Sequence, residues 1–593
     1  METRRMLLAA LLSLAVLVLW QFIFPPPKPP SKPAATETAP SSAKAVPGKE
    51  APATGSGEAA STGGQATIGE TTATAPHKAA AKPAPAKPEA AIPAGTAAAK
   101  EERPVIETSK FRAELSNRGA ELLSYVLKGQ TDAKGNPVDL VRRRERGPYP
   151  FALTTGAGGA SPLNSALFSV ERTKDKSGHT AIDFRYSGSE GAAQKRFTFL
   201  DGGIVKIEIS VPGEASWGIY FGPGVRNPSA KELDNRFEER DAVYLDGSDV
   251  KTEKAEKEYE DKPISTGAVR WFGLEDTYFL TALVPAQPMD RAVLHPLLVQ
   301  RLPSGVFRFQ AVPPKDKITS AEKKLSRSFS WILYPRGREA SLTAYLGTKQ
   351  YDRLAAMPYG FERTVHWGIF GFISRPLLWG LQWIYKHIVP NYGWAIIIIT
   401  LLIKLVLFPL TAKGQASMQK MQKVNPKIQA IRKKYRGKMR DKNGKMNYDV
   451  QKKMNDEIMA LYREEGVSPA GGCLPMLIQI PVLWAFYELL AKAIEIRHQP
   501  WIFWIKDLSA ADPYYILPIV MGATQFLQQK FAPMSADPTQ KKIFLLMPVV
   551  MTVLFLGFPS GMVLYWLTNN VLTIVQQWLY NLWQEKKKAA AAA

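Results

Sequence analysis

The sequence predicts a polytopic α-helical membrane protein joined to an all-β sandwich domain outside the cytoplasm. Six transmembrane helices are expected, five of them forming a core with a polar groove. Three observations predict this. Residues 391–411, NYGWAIIIITLLIKLVLFPLT, form an apolar run long enough to cross the ~30 Å hydrocarbon core of a bilayer as a helix. Four further apolar stretches follow before residue 583. Residues 104–350 instead alternate apolar and polar positions in short runs broken by Gly, Pro, Asn and Asp, the period of half-buried strands.

In chain order, residues 1–24 read METRR and then an apolar run ending at PPP. Arg4 and Arg5 place the N-terminus in the cytoplasm under the positive-inside rule. The run ends in WQFIFPPP with no A-x-A site, which favours an uncleaved anchor over a signal peptide. Residues 25–103 are rich in Ala, Pro, Thr, Lys and Gly and nearly free of large apolar residues. Such a composition cannot offset its ordering entropy, so a disordered tether is expected.

The domain at 104–357 carries strand patterns such as KRFTFLDGGIVKIEISVPG (195–213), FRFQAV (307–312) and SFSWILYP (328–335). Its end, EASLTAYLGTKQYDRLAAM (339–357), reads as helix. Glu275 and Asp276 could be imagined as a carboxylate pair, but neighbours in a strand point to opposite faces, so a structural role is expected. Residues 358–390 are aromatic and punctuated by charges. Trp367, Trp379, Trp383 and Tyr385 suit an amphipathic helix lying in the headgroup layer.

The core is expected over 391–583, with spans near 391–411, 473–490, 514–529, 543–558 and 562–583. Between the first two of these, residues 413–466 hold 15 Lys and Arg against 6 Asp and Glu. Near-helical apolar spacing over 417–435 and again over 450–466 predicts a basic helical hairpin, and its charge marks it as cytoplasmic. A solvated hairpin near anionic lipid accounts for the charge without a specific ligand. No aromatic stacking platform accompanies it, so sequence-specific nucleic acid is not expected. Alternating the sides puts loop 491–513 and the FPSG turn (558–561) outside, and loop 530–542 and the basic tail 584–593 inside: N-in and C-in.

The net charge of +23 suits anionic partners, while a mean hydropathy of −0.15 averages a polar N-terminal half with an apolar C-terminal third. The single Cys473 rules out an intramolecular disulfide and reads as a packing residue. The spans contain no H-E-x-x-H or G-x-S-x-G, which argues against an intramembrane hydrolase. They lack paired charges and an internal repeat, which argues against a transporter. An envelope-binding anchor for the β domain is a further alternative, but it leaves the hairpin and one lysine unexplained.

That lysine is Lys404. A cation within a membrane helix costs roughly 2.5–3.5 kcal/mol on insertion scales. No acid lies in the same span, and Thr400 shares its face at i−4. Snorkelling to the interface past Thr411 is the plainer account. The remaining spans, however, are short, broken by proline and studded with amides, which hydrocarbon tolerates only around protein or water. Lys404, Thr400, Gln479, Gln525 and Asn569 are therefore the expected lining of a hydrated cavity, and Tyr565 belongs to the same groove set.

These stretches together carry a resemblance. NYGWAIIIITLLIKLVLFPLT, KIQAIRKKY, IMALYREEGVSPAGGCLPMLIQIPVLWAFYELL, DLSAADPYYILPIVMGATQFLQQK and FPSGMVLYWLTNNVLTIVQQ resemble the YidC/Oxa/Alb family in its Gram-negative, YidC-type form with a large periplasmic domain. The resemblance covers nearly all of 360–583, and the anchor, tether and β domain match more loosely. It implies a membrane-protein insertase of the bacterial inner membrane that needs no cofactor, metal or catalytic residue. The groove would be open to cytoplasm and lipid and closed outside. Implied partners are nascent membrane proteins, anionic lipids, the Sec translocon and the ribosome. The hairpin, through Lys420, Lys423, Lys427, Arg432, Lys433, Lys434 and Arg436, would receive substrate. The family typically carries arginine where this chain has Lys404, so the charge is kept but the bidentate fork is not.

Overall fold

The computed structural model describes residues 92–132, 134–233, 239–255, 260–439, 447–466, 474–531 and 538–592. The expected anchor, the tether as far as residue 91, Cys473, the hairpin turn at 440–446 and part of the loop at 530–542 lie outside the described residues.

Alternation becomes sheet as the sequence predicts. In Ile204–Ser210, Val205, Ile207 and Ile209 are buried while Lys206 and Glu208 are exposed. Nine strands form one antiparallel sheet, in the spatial order Asp249–Lys254, Arg240–Asp246, Val269–Asp276, Phe279–Pro285, Glu339–Thr348, Ile204–Ser210, Gly191–Phe199, Thr180–Gly188 and Ser169–Lys174. A second sheet, centred on Arg291–Arg301, Ser326–Tyr334 and Trp217–Phe221, packs against it. A four-stranded sheet spans Val105–Asp139. Trp331, fully buried between the layers, meets Phe272 edge-on at 5.2 Å and donates its indole N–H to the Gly273 carbonyl at 2.8 Å.

The helix expected over 339–357 is a correction. Glu339–Thr348 is a strand, and only Tyr351–Ala355 is helical. Ala340, Leu342, Ala344 and Leu346 are buried at period two, so sheet pairing overrides a helix-forming composition. Glu275 and Asp276 do point to opposite faces: Glu275 pairs with Lys349 and Asp276 with Arg226.

The second region is helical: α1 (Gly371–His387), α2 (Tyr392–Arg436), α3 (Tyr448–Glu464), α4 (Leu474–Lys492), α5 (Ile516–Phe531), α6 (Pro538–Phe555) and α7 (Ser560–Ala592). Among the described residues one stretch, Tyr392–Ala412, is long and apolar enough to cross a membrane by length and composition. The apolar part of α6 is shorter, Leu545–Phe555, and α5 has only 16 residues, about 24 Å at 1.5 Å per residue. Faces such as Leu405, Val406 and Phe408 on α2 and Val549, Val550 and Val553 on α6 point outward, as lipid contact requires.

Two expectations change in detail. The hairpin's first half is not separate from the span: α2 runs unbroken for 45 residues, about 68 Å, with Pro409 and Pro426 inside it. In the aromatic segment, Phe361 joins the β domain, meeting Trp271 at 5.4 Å, and regular helix starts only at Gly371. Trp379 and Trp383 are exposed, as an interfacial helix needs, but Tyr385 turns inward and stacks on Tyr392 at 4.4 Å, while Trp367 packs on the bundle.

The segment 493–512 knits the bundle to the β domain. Ile494 is buried in the sandwich core, Arg497 donates to the Thr131 carbonyl at 2.8 Å, and just before the segment, at the end of α4, the Ala491 carbonyl accepts from Tyr278 at 3.2 Å.

Candidate functional site

Three helices of the bundle start on the segment 493–512. Asn391 caps α2 by accepting from the Gly393 and Trp394 N–H groups, and its amide donates to the Trp501 carbonyl at 3.1 Å. Asp512 accepts from the Leu517 N–H at 2.7 Å and from the Trp504 indole at 3.0 Å. The Ser560 N–H donates to the Ala510 carbonyl at 2.7 Å. Ile396 and Ile399, Phe486 and Leu489, Leu517 and Met521, and Leu564 and Tyr565 pack closely at this end. Past Thr400, Met521 and Tyr565 most described positions are half-buried or exposed. The bundle is close-packed at the end nearest the β domain, and its described positions become more exposed toward the hairpin.

Polar side chains line the splayed part. On α7, Tyr565, Asn569, Thr573 and Gln576 or Gln577 recur at helical spacing, a column of about 18 Å between 565 and 577. Each neighbouring helix meets this column. The Lys404 Nζ of α2 donates to the Thr573 Oγ1 at 2.8 Å, and that hydroxyl donates to its own helix at the Asn569 carbonyl, 2.7 Å away. Gln576 donates to the Thr411 Oγ1 at 3.0 Å. From α4, the Gln479 amide donates to the Tyr565 hydroxyl at 2.6 Å, and the Tyr565 ring stacks on Phe486 at 4.2 Å. From α5, Gln525 and Gln529 follow one another by a turn.

Several of these groups are unsatisfied by protein. The side-chain carbonyls of Gln525, Gln529, Asn569 and Gln577 and the indole N–H of Trp566 have no hydrogen-bond partner among the described residues. Half-buried Lys404 has three donors, one hydrogen bond and no carboxylate partner among the described residues. Polar groups in this state are stable where water reaches them. The arrangement offers a cation and a ladder of amides, and no nucleophile paired to a base among the described residues.

The six expected groove residues divide. Lys404, Gln479, Gln525 and Asn569 are half-buried; Asn569 stands on the polar column and Lys404 and Gln479 bond to it, whereas α5 reaches α7 through Met521 and Thr524, which meet Asn570. Tyr565 is 1% exposed and reaches the column only through its hydroxyl. Thr400 is 2% exposed and donates to the Ile396 carbonyl of its own helix at 2.6 Å, so its hydroxyl is already used. Sequence reasoning missed Thr573, Gln529, Gln576 and Gln577. The repeat 565, 569, 573, 577 was the signal that could have found the α7 members.

In the hairpin, Val424 and Ile428 of α2 pack on Met454 and Ile458 of α3. Lys420, Lys423, Lys427, Lys433, Lys434 and Arg436 are exposed, whereas Arg432 is half-buried. Lys434 pairs with Glu457 at 2.9 Å, and Lys427 pairs with Glu465.

Comparison with known proteins covers both regions. Residues 383–588 match the family described as 60Kd inner membrane protein, and residues 103–380 match the family described as YidC periplasmic domain. A membrane protein insertase YidC of Geobacter metallireducens is 35% identical, covering 100% of this chain and 99% of its own length. That of Syntrophus aciditrophicus is 36% identical, covering 98% and 99%. Among solved structures, an active YidC insertase with its first transmembrane domain resolved aligns at 18% identity over 83% of this chain and 95% of its own, with a TM-score of 0.33.

Proposed function

The chain belongs to the YidC family of membrane protein insertases, and we propose that its insertion path is the polar groove centred on Lys404. The protein is a non-enzymatic insertase of the inner membrane with a periplasmic β domain. A nascent segment reaches the splayed side of the bundle past the basic hairpin. Its polar flank enters the groove, where the ammonium and amides replace water, while its apolar part leaves sideways along exposed faces such as that of α6. Burying one Leu-sized side chain yields ~1.5–3 kcal/mol, so about 20 apolar residues supply ample drive without a nucleotide. The groove acts on the barrier, which is the passage of the polar flank through hydrocarbon.

The observation that carries this reading is a half-buried lysine with a hydroxyl partner, no acid beside it among the described residues, and unsatisfied amides around it. The finer topology follows from charge: six spans counting residues 1–24, both termini cytoplasmic, hairpin inside and segment 493–512 outside. Anionic headgroups, the ribosome and the Sec translocon are the partners that the hairpin and tail would meet.

Water accessibility tests the groove. In a Cys473→Ser background, cysteines at 569, 573 and 577 should react with a water-soluble maleimide in intact bilayers, whereas cysteines at 405 and 406 should not. Failure of all three groove positions to label would refute a hydrated path.

A further inference from the structure

Away from the groove, where the β domain meets the bundle, the nine-stranded sheet places like charges together. Asp241 and Glu275 are directly opposed across two strands, and Glu239 precedes Asp241 by two residues on the same face. Glu488 of α4 approaches from the bundle. Four carboxylates face two ammonium groups: Lys492, bridging Glu239 at 3.1 Å and Glu488 at 3.0 Å, and Lys349, 3.0 Å from Glu275 Oε2. Lys254 stands only at the exposed margin near Asp241.

Glu275 is 2% exposed, and neither of its oxygens accepts a hydrogen bond among the described residues. Lys349 balances one oxygen, and the other, Oε1, faces His366 Nε2 at 3.5 Å. That separation is long for a hydrogen bond. It is close to the edge of a tetrahedron whose ligands stand ~2.0–2.1 Å from a shared zinc, about 3.4 Å. The ligand atoms of Glu239, Glu275 and His366 all lie within 4.8 Å of one another. A small cavity lined in part by Lys349, His366, Glu488 and Lys492 borders the His366 side of the cluster, while Glu239 and Glu275 lie behind its lining.

We propose that Glu239, Glu275 and His366 bind a divalent transition metal, zinc by preference, with water as the fourth ligand. Two carboxylates and an imidazole are a zinc-type donor set, and the ion offsets the excess negative charge at the junction. It joins two strands of the β domain to the segment that leads into α1, so its role is to fix the angle at which the domain sits on the bundle. The site is invisible in the chain order, because the three ligands lie far apart and match no spaced motif.

The test uses full-length protein without a histidine tag, in nanodiscs, stripped with a chelator and titrated with zinc against a chromophoric competitor. One equivalent should bind, and cobalt in its place should show the intense visible bands of a tetrahedral site. His366→Ala and Glu275→Gln should each weaken zinc at least as much as the loss of an outer-shell partner does, about 10–100-fold. If Glu275→Gln does not fold, His366→Gln, at a half-exposed position, carries the same test. No stoichiometric zinc, or equal affinity in the His366 variants, would overturn the proposal.

Discussion

Reversing the charge at Lys404 is the most direct test of the groove. The ammonium is held by Thr573 at 2.8 Å and has no carboxylate partner among the described residues, so its field is available to a passing chain. Two unit charges 4 Å apart interact by about 1 kcal/mol in water and about 4 kcal/mol at an effective dielectric of 20. A hydrated groove lies nearer the first value. For a substrate with one acidic residue in its flank, Lys404→Ala forfeits about 1 kcal/mol. Lys404→Glu exchanges attraction for repulsion and costs about 2 kcal/mol, roughly 30-fold in rate at 1.36 kcal/mol per decade. Lys404→Arg keeps the charge and should stay within a few-fold of the native rate, by the same arithmetic. The assay is insertion of a short-tailed, single-span substrate into liposomes containing each variant, run with an acidic and a neutral flank at two salt concentrations. The four proteins should diverge on the acidic flank and converge on the neutral one. Equal rates on the acidic flank, or the same spread on both, would refute the electrostatic reasoning.

Further outcomes follow from the same geometry. Thr573→Val removes the hydroxyl beside Lys404. In a dry site a lost hydrogen bond to a charge costs about 1.5–3 kcal/mol, whereas in a wet groove water replaces it, so the melting temperature should move little. Tyr565→Phe and Gln479→Leu each break the 2.6 Å bond between α7 and α4. Their double-mutant cycle, read by thermal melting in detergent, should show a coupling of about 1 kcal/mol. In the hairpin, Ile428→Ala should unfold α3 from α2 at a cost of about 2–5 kcal/mol, while Lys434→Ala, which loses only an exposed, solvent-screened ion pair, should leave the melting curve nearly unchanged. Glu495, outside the spans, has its carboxyl pushed up to about 7 by burial, with Asp352 adding to the rise. A folded-state value above the unfolded one means that stability is highest in acid and falls as pH rises from about 4 through 7. Glu495→Gln should flatten that decline in melting curves taken between pH 5 and 8.

The two regions of the fold were legible because each has an unambiguous period: two in the β domain, and long apolar runs in the bundle. The failure at Glu339–Thr348 was local. Ala, Leu and Glu favour helix by composition, and only pairing with Ile204–Ser210 and Phe279–Pro285 decides for strand. The candidate site suggests itself where a residue violates its surroundings, as a lysine or a glutamine does inside an apolar run. It was not legible for Thr400, whose hydroxyl bonds back to Ile396, because a sequence cannot distinguish a threonine that serves its own helix from one that faces a cavity. Nor was Thr573 legible singly, since its meaning comes from the ammonium on another helix.

The positions of the helix caps bear on direction of transport. Asn391, Asp512 and Ser560 tie the starts of α2, α5 and α7 to one short segment, and the close-packed part of the bundle lies just beneath it. On the proposed reading, the polar column is open toward the hairpin, where the described positions are less buried, and closed toward the β domain, where Ile396, Met521 and Tyr565 pack. Along the proposed path, a chain entering from the open side would meet Thr411 and Gln576 first, then Lys404 and Thr573, and last the stacked Tyr565 and Phe486. Each step inward offers fewer free polar groups, and the last offers one hydroxyl already bonded to Gln479. A polar flank therefore gains most part-way in and has no wet exit straight ahead among the described residues. The remaining exit for the apolar part is lateral, where α2 and α6 present bare Leu, Val and Phe side chains, and lipid is the one phase that favours it there.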